Sequence, residues 1–201
     1  MRASVHGKVR VMFPLLISLM EFRQAKMALF DAMEDLEDAG IPFQRDLPIG
    51  MMLETPAAAI QVKEFCREVD FVSIGSNDLI QYILAVDRGN ERVSQFYSGS
   101  HPAVLRALRD VVQACDEAEV DCSLCGEMAG QLLYSMFLLG IGLRNLSMSP
   151  ANIAEIKKVT RLITIKHAQK IARRVLTFET ERQVNNYLRD ETRKILPEDP
   201  L

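Results

Sequence analysis

Short apolar runs alternate along this chain with longer stretches of helical periodicity, and polar residues gather where one gives way to the other. Lys8–Pro14 is a short apolar run closed by proline, which reads as a buried strand. Ser18 can cap the segment that follows. There Phe22, Met27, Leu29, Phe30, Met33 and Leu36 recur at helical spacing until Gly40 stops them. Ile49–Leu53 predicts a second strand, and Pro56 opens a helix continuing through Ala57–Val69. Phe71–Ile74 predicts a third strand, followed at once by Gly75-Ser76-Asn77-Asp78. A short helix over Leu79–Val86 leads into a polar loop, Asp87–Ser100, and Pro102 opens a helix reaching about Glu119. Cys122–Leu124 predicts a fourth strand, Gln131–Leu139 a helix and Asn145–Met148 a fifth strand. Helices follow at Ile153–Leu162, Lys166–Leu176 and Glu179–Ile195.

Strands alternating with helices imply an α/β fold with a parallel sheet. No G-x-G-x-x-G lies on a strand-to-helix turn and no P-loop is present, so a dinucleotide or NTP fold lacks its main signal. Polar residues instead cluster just after the strands: Glu54, then Asn77 and Asp78, then Cys125 and Glu127, then Ser147 and Ser149. In a (β/α)8 barrel the strand C-termini form the active-site face. About five strands are too few to close eight, so the expectation is a partial TIM barrel over residues 1–163 with a C-terminal helical extension over 164–201, as a fragment or truncated product would have.

Composition narrows the function without naming it. The chain has 201 residues, 48% hydrophobic and 25% charged, with a net charge of −3 and scattered basic residues; nothing in it suggests a nucleic-acid surface. Pro14 interrupts the apolar run after the basic N-terminus, and no stretch could span a bilayer, so the expected location is the cytoplasm with no membrane partner. Four cysteines do not make a disulfide scaffold. In a strand, the C-x-x-C of Cys122 and Cys125 would point to opposite faces, which does not suit zinc.

Candidate chemistry sits at the strand ends. A lone buried carboxylate is costly, and two at one barrel mouth can hold Mg2+, which takes one or two carboxylates plus substrate phosphate. Glu54 and Asp78 answer to that, though each can equally cap the helix that follows it. The Asn77 amide and the Arg88 guanidinium can bind phosphate oxygens, or simply be solvated. Cys125 can exchange a proton or serve as a small buried hydrophobe, and Glu127 can orient it or cap the next helix. His6, His101 and His167 lie in no context suggesting a phosphoryl acceptor, and His101 before Pro102 reads as structural.

Taken together, VRVMFPLL (Val9–Leu16), GMMLETPAAA (Gly50–Ala59), VDFVSIGSNDLIQYILAVDRGN (Val69–Asn90), HPAVLRAL (His101–Leu108), LCGEMAG (Leu124–Gly130) and LSMSPANIAEIK (Leu146–Lys157) resemble the C-terminal phosphoenolpyruvate-binding domain of enzyme I of the phosphoenolpyruvate:sugar phosphotransferase system, including its nitrogen-related paralogue. Pyruvate phosphate dikinase and phosphoenolpyruvate synthase share the SNDL-like and CGE motifs, but Gln81–Asn90 is more similar to enzyme I.

The resemblance implies a partial barrel of the phosphoenolpyruvate/pyruvate type. It implies a phosphoenolpyruvate-protein phosphotransferase that passes phosphoryl to a protein histidine and releases pyruvate. By position, Glu54 and Asp78 match the magnesium ligands, Asn77 and Arg88 the phosphoenolpyruvate-binding residues, and Cys125 the acid/base cysteine. Implied partners are a phosphohistidine domain, a histidine-containing phosphocarrier protein and a second copy in a homodimer. The family's first three strands, with their further arginines, have no counterpart here, and Gln131 stands where it usually has Asp. The expectation is that this chain alone transfers no phosphate. The competing readings are a catalytically incompetent regulatory or vestigial module that binds phosphoenolpyruvate or dimerises, and a lyase of the wider barrel group, against which LCGEMAG speaks.

Overall fold

The computed structural model describes residues 1–196. Five strands, β1 (Val11–Phe13), β2 (Ile49–Leu53), β3 (Phe71–Gly75), β4 (Asp121–Cys125) and β5 (Asn145–Leu146), pair in sequence order, and every pairing is parallel. Helices cross between them: α1 (Leu19–Asp38), α2 (Pro56–Ile60), α3 (Val62–Phe65), α4 (Ser76–Leu84), α5 (Pro102–Glu117), α6 (Leu132–Ile141) and then α7 (Pro150–Leu162). This is the winding of a barrel wall. β2 and β3 are buried almost throughout, which is why they read as continuous apolar runs rather than alternating ones.

Local signals set most boundaries. Ser18 and Glu21 form a reciprocal capping box at the start of α1. At its end Gly40 takes a left-handed φ of 63°, while the amides of Gly40 and Ile41 close onto Glu37 and Leu36. The helix expected over Ala57–Val69 is instead two pieces, because Gln61 leaves helical geometry with φ −96° and ψ 17°. The fifth strand is shorter than expected, pairing only Ser123 with Asn145 and Leu124 with Leu146.

The two faces of the sheet differ in chemistry. On β4, Leu124 is fully buried among the helices, and Cys122 on the same face touches Cys115 of α5. Cys125 faces the other way, with Sγ 3.6 Å from the Ser73 hydroxyl, so Cys122 and Cys125 do point apart. On this second face Arg10 reaches over β2 and β3, roughly 14 Å of sheet were it flat, to meet Asp121 at 3.1 Å. Its guanidinium lies 3.8 Å from the Phe71 ring centre, as the concave side of a curled wall allows.

Helices α8 (Ile165–Val175) and α9 (Glu181–Ile195) pack onto α6. α6 is apolar all round because helices cover it on several sides: α5, α7, and α8 and α9 with their buried Ala168, Ile171, Ala172, Val184 and Leu188. Gly140 permits this approach, since a Cβ there would overlap the Ala168 carbonyl. Ser100 ties in α9 by accepting from the Tyr134 hydroxyl at 3.0 Å and donating to Asn185 Oδ1 at 2.5 Å. The last part of the expected extension, residues 197–201, lies outside the described residues. No helix among the described residues is long and apolar enough to cross a membrane.

Candidate functional site at the strand ends

The C-terminal tips of β2, β3 and β4 carry the polar residues singled out above. Glu54 directly follows β2 and is 5% exposed. It does not cap α2; Thr55 does, accepting from the Ala58 amide at 3.2 Å. The Glu54 carboxylate instead takes the Leu15 N–H on Oε1 at 2.8 Å, while Oε2 faces Gly75, where a Cβ would stand 2.6 Å from it. Burial pushes this carboxyl above its ordinary range. The Leu15 amide pulls it back down, and the neighbouring Asp78 charge pushes it up again. Leu15 holds a left-handed φ of 52°, backbone strain beside a buried carboxylate of the kind that gathers at functional sites.

Asn77 and Asp78 lie in the first turn of α4, which begins one residue after β3 ends. The N-cap is Gly75, so Asp78 is not the cap either. Asn77 Oδ1 accepts from the Glu127 amide at 3.1 Å, and the Asn77 carbonyl accepts from the Tyr97 hydroxyl at 3.0 Å. α4 ends at Ala85 in a left-handed turn, φ 52°, which sends the following loop back over the helix start. Arg88 on that loop thereby comes within 3.3 Å of Asp78. Tyr97 returns by the same loop. Burial pushes its phenol above the usual range, and the nearby Arg88 charge works against that.

Cys125 ends β4 and is half-buried. Its Sγ lies 3.4 Å from the Ile74 carbonyl, and the Cys125 carbonyl accepts from the Ser76 hydroxyl at 2.7 Å. A cavity of about 460 Å3 opens beside it, lined by Asn77, Gly126, Glu127, Gln131, Ser147 and Asn152 among others. Of the five predicted site residues, Asn77 belongs to its wall. Glu54, Asp78, Arg88 and Cys125 are not among its lining residues. Sequence reasoning missed Tyr97, Ser76 and Asn152. Tyr97 sits in an aperiodic loop, and nothing in its neighbours announces that the loop folds back.

The donor set suits a hard divalent cation. Two carboxylates follow neighbouring strands, and the buried one, Glu54, feels the charge of Asp78. Among the described residues no group of three or more His, Cys, Asp or Glu is assembled for a metal, but two carboxylates completed by a ligand's phosphate are a set magnesium accepts.

Residues 1–165 match the family model described as PEP-utilising enzyme, PEP-binding domain. The chain belongs to this family. Its relatives include phosphoenolpyruvate-protein phosphotransferases. That of Buchnera aphidicola subsp. Baizongia pistaciae is 44% identical over 92% of this chain and 32% of its own length. That of Enterococcus faecalis is 42% identical over 92% and 32%, and that of Haemophilus influenzae 39% over 94% and 33%. The chain thus spans about a third of the length of these curated relatives. The expected fold, a partial barrel of the PEP-utiliser type with five parallel strands, is the one observed.

Proposed function

We propose that this chain is the phosphoenolpyruvate- and magnesium-binding part of a phosphoenolpyruvate-protein phosphotransferase. The reading rests on one observation above all: the tips of three successive parallel strands bring a buried carboxylate, an amide, a second carboxylate and a thiol to the same end of the sheet, with an arginine returned over them by a loop. None of the capping roles that could explain Glu54 or Asp78 is in use.

In the proposed reaction the P–O bond of phosphoenolpyruvate breaks, and a P–N bond to an imidazole of the relatives' phosphohistidine domain forms. The enolate of pyruvate is left behind. Glu54 and Asp78 hold the cation, which when bound supplies positive charge to the phosphate oxygens. Arg88 leaves Asp78 to take a phosphate oxygen, and Asn77 donates to another acceptor on the substrate. The Cys125 thiol, with Sγ 3.4 Å from the Ile74 carbonyl, delivers its proton to C3 of the enolate to give pyruvate. A histidine-containing phosphocarrier protein as the next acceptor, a homodimer and a cytoplasmic setting belong to the same proposal. So does the division into a barrel segment to residue 163 and a helical segment beyond it.

Calorimetric titration tests the reading: phosphoenolpyruvate should bind the chain in the presence of Mg2+, and Asp78→Asn and Arg88→Ala should each weaken it. Heat of binding that is the same for both variants and the parent would end the assignment. The chain alone should transfer no phosphate, so magnesium-dependent pyruvate release by the purified chain would overturn that part.

A further inference from the structure

We infer that Ser76 is a positioning residue that, with Gly126, clasps the tips of β3 and β4 together and so sets both the Asn77 amide and the Cys125 thiol. The inference rests on the proposed reading of those two residues, and nothing assigned to Ser76 so far explains its place. Ser76 is 1% exposed, and its hydroxyl donates to the Cys125 carbonyl at 2.7 Å. One residue further along the β3 tip and two along the β4 tip, the Glu127 amide donates to Asn77 Oδ1 at 3.1 Å. The β3–β4 ladder has already ended, its last pair being Gly75 with Cys125. These two bonds therefore do not serve strand pairing. They tie what comes after it.

Gly126 lies between the two bonds and shows how closely the tips approach. Its φ is 98°, and a Cβ there would overlap the Ser76 hydroxyl and stand 2.9 Å from Asn77 Oδ1. Any other residue would both strain the backbone and wedge the clasp open.

Two consequences follow for the site. A backbone N–H can only donate, so the atom of Asn77 bonded to Glu127 must be its oxygen. What Asn77 then offers the cavity it lines is its NH2, which selects a ligand oxygen that accepts, such as a carboxylate or phosphate oxygen. Holding the Cys125 carbonyl also fixes the thiol against the Ile74 carbonyl and the Ser73 hydroxyl. Losing the Ser76 hydroxyl should release that thiol into the cavity mouth.

The test is the rate of iodoacetamide alkylation of the intact 201-residue chain across pH, followed by peptide mass mapping that separates Cys125 from Cys66, Cys115 and Cys122. Ser76→Ala should speed Cys125 alkylation about two- to tenfold, the factor of one net hydrogen bond, with the other three thiols unchanged. Ser76→Thr, which keeps the hydroxyl, should restore the parent rate and pH profile. Gly126→Ala opens the clasp by a different route and should reproduce the Ser76→Ala signature. Parent-like Cys125 rates in Ser76→Ala and Gly126→Ala, or equal acceleration of all four thiols in both, would show Ser76 to be a packing residue only. Failure of phosphoenolpyruvate with Mg2+ to protect Cys125 in the parent chain would instead count against the functional reading and leave the clasp result standing.

Discussion

The Arg88 guanidinium stands 3.3 Å from the Asp78 carboxylate, so the residue proposed to grip phosphate is paired with a residue proposed to hold the cation. Both side chains are more than a third exposed, and such pairs are weak, about 0.2–1 kcal/mol. The pair can therefore be exchanged. Arg88→Ala should tighten binding of Mn2+, used as a magnesium surrogate, by roughly the one- to fivefold that so weak a pair allows. Asp78→Asn and Glu54→Gln should remove it. Titration of Mn2+ by electron paramagnetic resonance reads this directly, and weaker Mn2+ binding by Arg88→Ala would contradict the exchange.

Glu54 carries a stability cost that can be measured. Its carboxyl is displaced upward in the folded chain by burial, so the folded state favours the protonated form. That stability is fully present below the unfolded pKa and is lost as pH rises through the higher folded one. At neutral pH the charged group is a burden. Glu54→Gln keeps an oxygen for the Leu15 amide and removes the charge, so its melting temperature at pH 7 should exceed the parent's. The two should converge as pH falls toward 4. A lower melting temperature for the variant at pH 7 would refute this account.

Gly140 is where α8 comes closest to α6. A methyl group there meets backbone, the Ala168 carbonyl, rather than a side chain that could swing away. Gly140→Ala should cost about 1–3 kcal/mol by overpacking, read from urea unfolding. A chain cut after residue 163 should expose the α6 face that Ile171 and Val184 cover, and bind a hydrophobic dye.

His167 of α8 approaches Glu191 of α9 at 3.3 Å and joins the two helices, while Lys194, within α9, approaches the same carboxylate at 2.6 Å. Burial alone would raise the Glu191 carboxyl, but the bonds to Lys194 and His167 outweigh it and hold it below the usual range. A lowered carboxyl contributes stability above its unfolded pKa that is lost as pH falls through the folded one. Glu191→Gln should therefore lower the melting temperature at pH 7 and leave it unchanged near pH 3. An equal loss at both pH values would rule out the charge as the cause.

Much of the barrel was legible because its signals are local. The apolar runs of β2 and β3, the Ser18 cap, Gly40 and the helix-opening Pro56 and Pro102 each act on their own few residues. Glu54, Asn77, Asp78 and Cys125 were legible as candidates because parallel strands of one sheet present their C-termini at one end, whatever else the chain does. The break at Gln61 was not legible, since residues 57–69 carry unbroken helical composition and only packing decides where the turn slips.

From the sequence alone came the alternation of strands and helices, the sheet's parallel sense and the polar residues that follow its strand C-termini, because periodicity and capping are properties of neighbours along the chain. Only the tertiary structure decided that Glu54 takes the Leu15 amide, that the Ala85 turn carries Arg88 back to Asp78, that Ser76 holds Cys125, and that α8 and α9 close over α6. Each of these is a contact between residues far apart in sequence or on different elements. Its partner is chosen by where the sheet's curl and the helix packing bring two surfaces together, and that cannot be read from either segment alone.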